Sequence, residues 1–296
     1  MALLPRTLVF DLECAPDDQE QFDKIIHLAG FRPDTGAELE QKVSGDPQPA
    51  LQALDEMVQG AAFALGHNIY EHDLPVLRKQ APGMQLLKLP AVDTLRLSPL
   101  AFPQNPYHRL IKDYKLIRDS LNSPLADCHS TLELFTDQQD AFEQLNDKSR
   151  MELLCYQALL APGRADDLSS FFAYLAGGFA VGLDQVRQMI PQLLRETDSS
   201  FERDLKVCAT RLQKLLDVDL QNEDMRWPIA YALSWLRVSG GNSVLAPWVR
   251  YQFPATGQLL SELRDIPCAD EACSYCRETH DPRRELKRYF GFDDFR

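Results

Sequence analysis

The chain has 296 residues, 45% apolar and 25% charged, enough for about two domains that each bury a core. Its net charge is −13 and its sequence pI about 4.9, which excludes broad electrostatic capture of nucleic acid; such a partner must be held by local patches. No apolar run approaches the ~18 residues of a transmembrane helix, and Met-Ala-Leu-Leu-Pro-Arg is too short and ill-ordered for a signal peptide, so a cytoplasmic protein without a membrane partner is expected.

Residues 7–13, Thr-Leu-Val-Phe-Asp-Leu-Glu, read as a strand that delivers two carboxylates to one side of its end. Side chains alternate along a strand, so Asp11 and Glu13 point the same way while Leu12 turns to the core. Held about 7 Å apart along the strand, the two acids repel unless a cation lies between them, and Mg²⁺ or Mn²⁺ suits hard oxygen ligands. A strand that simply ends in surface acids has the same short pattern, so a second segment is required. Residues 15–48 contain the turn signal Phe31-Arg-Pro-Asp-Thr-Gly36 and are expected to hold antiparallel edge strands. A helix is expected over 49–58.

The second segment is Ala61-Ala-Phe-Ala-Leu-Gly-His-Asn-Ile-Tyr-Glu-His-Asp-Leu. An apolar strand ends at Gly66, which permits a tight exit; His67 and Asn68 follow, and Asp73 opens a helical stretch. Asp-x-Glu followed by Gly-His-Asn and Asp-Leu resembles the DnaQ-like (DEDD) 3′–5′ exonuclease superfamily. The resemblance implies an α/β, RNase H-like (DnaQ-like) domain with a mixed sheet, acting on DNA, single-stranded or at 3′ ends. It implies a site in which Asp11, Glu13, Asp73 and one late-helix aspartate hold two Mg²⁺ or Mn²⁺ ions, with His67, Asn68 and Asn122 against the substrate. In such a two-metal site one ion activates water and the other stabilises the leaving 3′ oxygen.

The late-helix aspartate is assigned to Asp127, in Ala126-Asp-Cys-His-Ser-Thr-Leu-Glu-Leu-Phe, with Thr131 four residues on and Leu132 and Phe135 at helical spacing. Families of this kind place a His five residues or a Tyr four residues earlier as general base. Here those positions are Asn122 and Ser123, neither a good proton acceptor near neutral pH, so slower hydrolysis is expected. His108-Arg-Leu-Ile-Lys-Asp113 satisfies the His-x₄-Asp spacing literally; His108 is either a base reaching in from the Pro103–Pro106 loop or a solvated loop histidine. The missing base and the acidic surface also leave open a degenerate DnaQ-like fold kept as a scaffold.

Strand signals (7–13, 61–66, 89–95) and helical signals (49–58, 72–80, 108–121, 125–136) alternate through a first domain, 1–146. A mainly helical accessory domain, 147–262, follows, with apolar residues three and four apart at 151–160, 183–195 and 201–217. It holds all three tryptophans, Trp227, Trp235 and Trp248, alongside Arg237 and Arg250. Such residues stack single-stranded bases or fill a core, and the core reading is preferred because large aromatics mostly bury their area.

The last segment, 263–296, opens with Cys268-x₄-Cys273-x₂-Cys276-x₃-His280. Four thiolate and imidazole ligands within thirteen residues match one structural Zn²⁺ in a Cys₃His knuckle. A disulfide suits a cytosolic chain poorly, and an iron–sulfur cluster is the lesser alternative. Cys14, Cys128, Cys155 and Cys208 stand alone and read as buried small hydrophobes. Leu286-Lys-Arg-Tyr-Phe-Gly-Phe-Asp-Asp-Phe-Arg then resembles the entry motif of RecQ-family helicases, without the phosphate-binding loop. That resemblance implies the N-terminal part of an exonuclease–helicase polypeptide, with a RecQ-type helicase as fused or associated partner and no ATPase in this chain.

Overall fold

The computed structural model describes residues 6–16, 24–105, 123–160, 171–172, 181–194, 207–236 and 245–291. These fall into two compact units: residues 1–102, 108–144 and 161–178 form the first, and 103–107, 145–160 and 179–296 the second.

The first unit is built on a five-stranded mixed sheet with helices. Strand β1 (Thr7–Ala15) lies at its centre, between β2 (Lys24–Arg32) on one side and β4 (Phe63–Gly66) on the other. Strand β3 (Ala37–Lys42) closes one edge and β5 (Ala91–Asp93) the other, giving the order β3-β2-β1-β4-β5. The β1–β2 and β2–β3 pairs are antiparallel, as expected of residues 15–48, while β1–β4 and β4–β5 are parallel. Central position explains why Thr7, Leu8, Val9 and Phe10 are all buried, whereas edge strand β3 is mostly exposed.

Alternation along β1 sorts its residues onto two faces. Leu8, Phe10 and Leu12 enter a core with Leu28, Ala64, and Leu51 and Leu54 of helix α1 (Gln48–Glu56) and Leu74 and Leu77 of helix α2 (Asp73–Gln80). The register sets Asp11 opposite Ala29 and Ala29 opposite Glu40, and Val9 opposite Phe31 and Phe31 opposite Glu38, so the acids of β1 share the other face with Glu38 and Glu40.

Helix α3 (Thr94–Ala101) starts directly after β5, so the strand signal expected through residue 95 ends at Asp93. The physical reason is a cap: the Asp93 carboxylate accepts from the backbone N–H of Leu95 at 2.9 Å. Helix α4 (Pro124–Leu159) runs 36 residues, joining the separately expected helices at 125–136 and 151–160. No glycine or proline interrupts residues 125–159, so nothing stops propagation before Pro162-Gly163. Phe135 meets Phe63 at 6.0 Å between ring centroids, which places the first part of α4 on the acid-bearing face of the sheet.

The described residues of the second unit are helical: α5 (Leu183–Leu193), α6 (Ala209–Leu216), α7 (Glu223–Trp235), α8 (Pro247–Gln252) and α9 (Pro254–Leu260), then α10 (Ser274–Thr279) and α11 (Pro282–Phe290). Trp227, Tyr231, Trp235, Trp248 and Phe253 pack ring against ring at 5.4–6.5 Å, and Trp227, Tyr231 and Trp235 are buried. These aromatics are core residues, not a stacking platform. Among the described residues no helix is long and apolar enough to cross a membrane.

Candidate functional site

Carboxylate oxygens of Asp11, Glu13 and Asp127 lie within 4.8 Å of one another. Two come from one strand end and the third from a helix more than a hundred residues later, so the fold, not local sequence, creates the cluster. Ser123 and His129 locate the third acid. The Ser123 hydroxyl donates to Glu40 at 2.8 Å and accepts from the Ala126 N–H at 3.2 Å, while its carbonyl accepts from the Asp127 N–H. His129 meets Glu38 at 3.0 Å and lies on the Phe31 ring, 4.4 Å between centroids. The start of α4 is therefore pinned to β2 and β3 on both sides of Asp127. Ser123 is a capping residue here.

Asp73 is not in the compact triad. It is 2% exposed at the start of α2, and its Oδ1 accepts from the backbone N–H of Leu12 at 2.8 Å. Its Oδ2 lies 3.7 Å from Nδ1 of His72. Burial pushes the Asp73 carboxyl up, opposed by His72 and the Leu12 N–H. Hydrogen bonding to Asp73 holds His72 above its ordinary range against the cost of burial, with Asp11 and Glu13 adding to the attraction. Next to Asp127 on α4, burial and then Asp11, Asp73 and Asp127 push the Cys128 thiol well up, so it remains neutral.

The Gly66-His67-Asn68 turn is held by Asp93. One Asp93 oxygen accepts from the Asn68 N–H at 2.8 Å and the other from the Tyr70 N–H at 3.2 Å. Asn68 sits at φ 63°, a left-handed conformation that asparagine tolerates better than most residues. Thr94 donates its hydroxyl to the Gly66 carbonyl and faces Nδ1 of His67 at 2.9 Å. His67 and Asn68 thus form a rigid turn beside the strand that carries the acids. His108 and Asn122 lie outside the described residues.

In the second unit, the sulphurs of Cys208, Cys268, Cys273 and Cys276 all lie within 4.8 Å of one another. This corrects the expected Cys₃His set: Cys208 stands in the group and His280 does not. His280 ends α10, and its Nε2 accepts from the Arg211 guanidinium at 2.7 Å, which occupies the lone pair a metal would need. Cys208 precedes α6 by one residue and Cys273 precedes α10 by one, so two helix starts present sulphur to one point. Although desolvation pushes it up, the backbone at Asp270 and the neighbouring thiols draw the Cys268 thiol down to about 7. Burial and crowding by the other sulphurs push Cys276 up to about 12. Cys268 ionises readily whereas Cys208 and Cys276 resist, as expected where like charges would be forced together without a cation.

Asp93, Ser123 and Cys208 were not singled out as site residues by sequence. Asp93 is a residue type favoured at N-caps, a signal that could have ended the expected strand there, but nothing in spacing joins Cys208 to a cysteine sixty residues later. No protein-family model matches the chain, and no curated protein matches it.

Proposed function

We propose that the first unit is a divalent-metal-dependent 3′–5′ exonuclease module of the RNase H-like, DnaQ-like class that hydrolyses phosphodiester bonds of DNA. The observation that carries the reading is the convergence of Asp11, Glu13 and Asp127 within 4.8 Å, three acids from two remote segments. Such a set of hard oxygens suits Mg²⁺ or Mn²⁺, and Asp73 adds a fourth carboxylate held against the same strand. Paired divalent ions supply water activation and stabilisation of the leaving oxygen when bound.

The chain's own residues do the positioning. Asp11 and Glu13 project from the central strand where it is paired with β2, Asp127 from a helix start anchored by Ser123 and His129, and Asp73 locks the intervening Leu12 N–H. The turn of His67 and Asn68, clasped by Asp93, stands beside the acids as the surface for the substrate. The substrate is a DNA 3′ end, in keeping with a RecQ-type helicase as partner. In the second unit the cysteine group takes one structural zinc ion.

The test uses purified chain, 3′-labelled single-stranded DNA and Mn²⁺, with Asp11→Ala as control. Release of labelled nucleotide by the native chain and its loss in the variant is the expected result. Equal release by both excludes this site. Absence of release from the native chain, on DNA and on RNA, leaves the fold as a scaffold.

A further inference from the structure

Arg211 is the most deeply buried cation among the described residues, 1% exposed on α6. Its Nε has no hydrogen-bond partner, and among the described residues no carboxylate pairs with it. Its terminal nitrogen donates to neutral His280, which relieves a hydrogen-bonding requirement without neutralising the charge. Asp265, whose charge acts on His280, is taken by Arg264 at 3.0 Å. A buried, unpaired guanidinium costs several kcal/mol. Something anionic belongs beside it.

The backbone supplies the location. Arg211 lies in the first turn of α6, three residues after Cys208 at its N-cap, and its side chain reaches His280, whose own N–H donates to the Cys276 carbonyl at 2.9 Å. Arg211 therefore joins the segment carrying Cys208 to the helix carrying Cys276. The two sulphurs are 3.7 Å apart. Tetrahedral zinc with bonds near 2.3 Å needs sulphurs about 3.8 Å apart, so this edge already matches a single ion. An iron–sulfur cluster, which places several irons between its thiolates, needs a wider cage. Four thiolates around one divalent ion carry two net negative charges, the anion that Arg211 lacks.

We infer that Cys208, Cys268, Cys273 and Cys276 hold one zinc ion as a tetrathiolate, and that Arg211, anchored by His280, is the buried counter-charge that retains it. The Cys268 N–H, which donates to the Cys276 sulphur at 3.4 Å, spreads the remaining charge. The site ties α6 to α10 across sixty residues of chain, whereas a Cys₃His knuckle would have closed on itself. This inference rests on the cysteine group taking a metal and is independent of the acid site.

The experiment measures zinc in the purified full-length chain by elemental analysis, with affinity from chelator competition. One zinc per chain is expected in the native protein and in His280→Ala, and loss in Cys208→Ser. Arg211→Met should weaken retention about 10–100-fold, the scale of an outer-shell partner, and Arg211→Lys should restore part of it. Cobalt(II) loaded into the native chain should give the charge-transfer and ligand-field bands of four sulphurs, a result that does not depend on any variant folding. Bands of three sulphurs and one nitrogen, or zinc lost with His280→Ala, overturn the ligand set. Unchanged affinity in Arg211→Met overturns the counter-charge alone, and iron or no metal in the native protein overturns the zinc reading with it.

Discussion

The backbone N–H of Leu12 donates to Oδ1 of Asp73 at 2.8 Å, across 61 residues of sequence. Leu12 lies between the two acids of β1, so this bond fixes the peptide units from which Asp11 and Glu13 project. Asp73 therefore has a structural task separable from its charge. Asp73→Ala leaves a buried N–H without an acceptor, a loss of about 1–3 kcal/mol. Asp73→Asn keeps an oxygen for Leu12 and removes only the charge, so its stability should stay near the native value while metal-dependent nucleotide release falls in both variants. Urea unfolding of the two variants beside the activity assay separates the effects; equal destabilisation would show that the Leu12 bond contributes nothing.

Converging carboxylates repel until a cation joins them, so the acid triad is a stability liability in metal-free protein. Mn²⁺ that binds only the folded state should stabilise it by about 2.7 kcal/mol at a hundredfold excess over its dissociation constant. Asp11→Asn and Asp127→Asn should lose that increment. In buffer without Mn²⁺ the same variants should be at least as stable as the native chain. Thermal unfolding with and without added Mn²⁺, using no chelator so that the cysteine site is undisturbed, checks both signs.

What could be read from sequence was what depends on short-range periodicity. The alternation of β1 assigned Asp11 and Glu13 to one side and Leu12 to the core, and Gly66 marked the strand exit. A late-helix aspartate was sought only because of the DnaQ-like resemblance, and the helical spacing of Leu132 and Phe135 then selected Asp127. What could not be read depends on chain closure over long separations. Ser123 looks like a poor base until Glu40 is seen opposite it. Cys208 looks like an isolated core cysteine, because the contacts that bring α6 to α10 leave no pattern in spacing. His280 had the right spacing for a ligand, but Arg211 claims its lone pair, and a buried arginine is not visible as such in a sequence.

Asp93 gives a pH dependence of known sign. Burial pushes its carboxyl up from 3.8 to about 6, against the backbone N–H groups of Tyr70, Asn68 and Leu95 and the charge of Arg96. Between those values the folded chain binds a proton that the unfolded chain has lost, so this contribution is fullest below about pH 4 and disappears as pH rises through 6. A shift of about two units corresponds to roughly 3 kcal/mol. Asp93→Asn does not titrate and also places an amide against the Tyr70 N–H, so it is less stable than the native chain at low pH. The gap between native and variant should narrow from pH 4 to pH 6.5 in denaturant unfolding. A constant gap would mean that Asp93 is already ionised in the folded state at pH 4.

Gly66 gives the sharpest packing test, because two glycines in the same unit differ only in what surrounds them. A Cβ at Gly66 would stand 2.1 Å from Cγ2 of Ile69 and 3.1 Å from the Phe10 carbonyl oxygen. The Ile69 methyl sits on the Cβ of a fully buried, β-branched side chain and cannot clear the space without a rotamer change, and the carbonyl belongs to the central strand one residue before Asp11 and cannot move without moving the acid. Gly66→Ala should therefore cost about 1–3 kcal/mol, the usual range for overpacking a dense core, and displace the His67–Asn68 turn from Asp93. At Gly83 a Cβ meets nothing within 4 Å, and Gly83→Ala should be neutral or stabilising by about 0.4–1 kcal/mol through the unfolded chain. Unfolding midpoints of the two variants, read with nucleotide release for Gly66→Ala, decide the matter: a Gly66 variant as stable and active as the Gly83 one would show that the turn tolerates displacement and that the site is less tightly held than these distances imply.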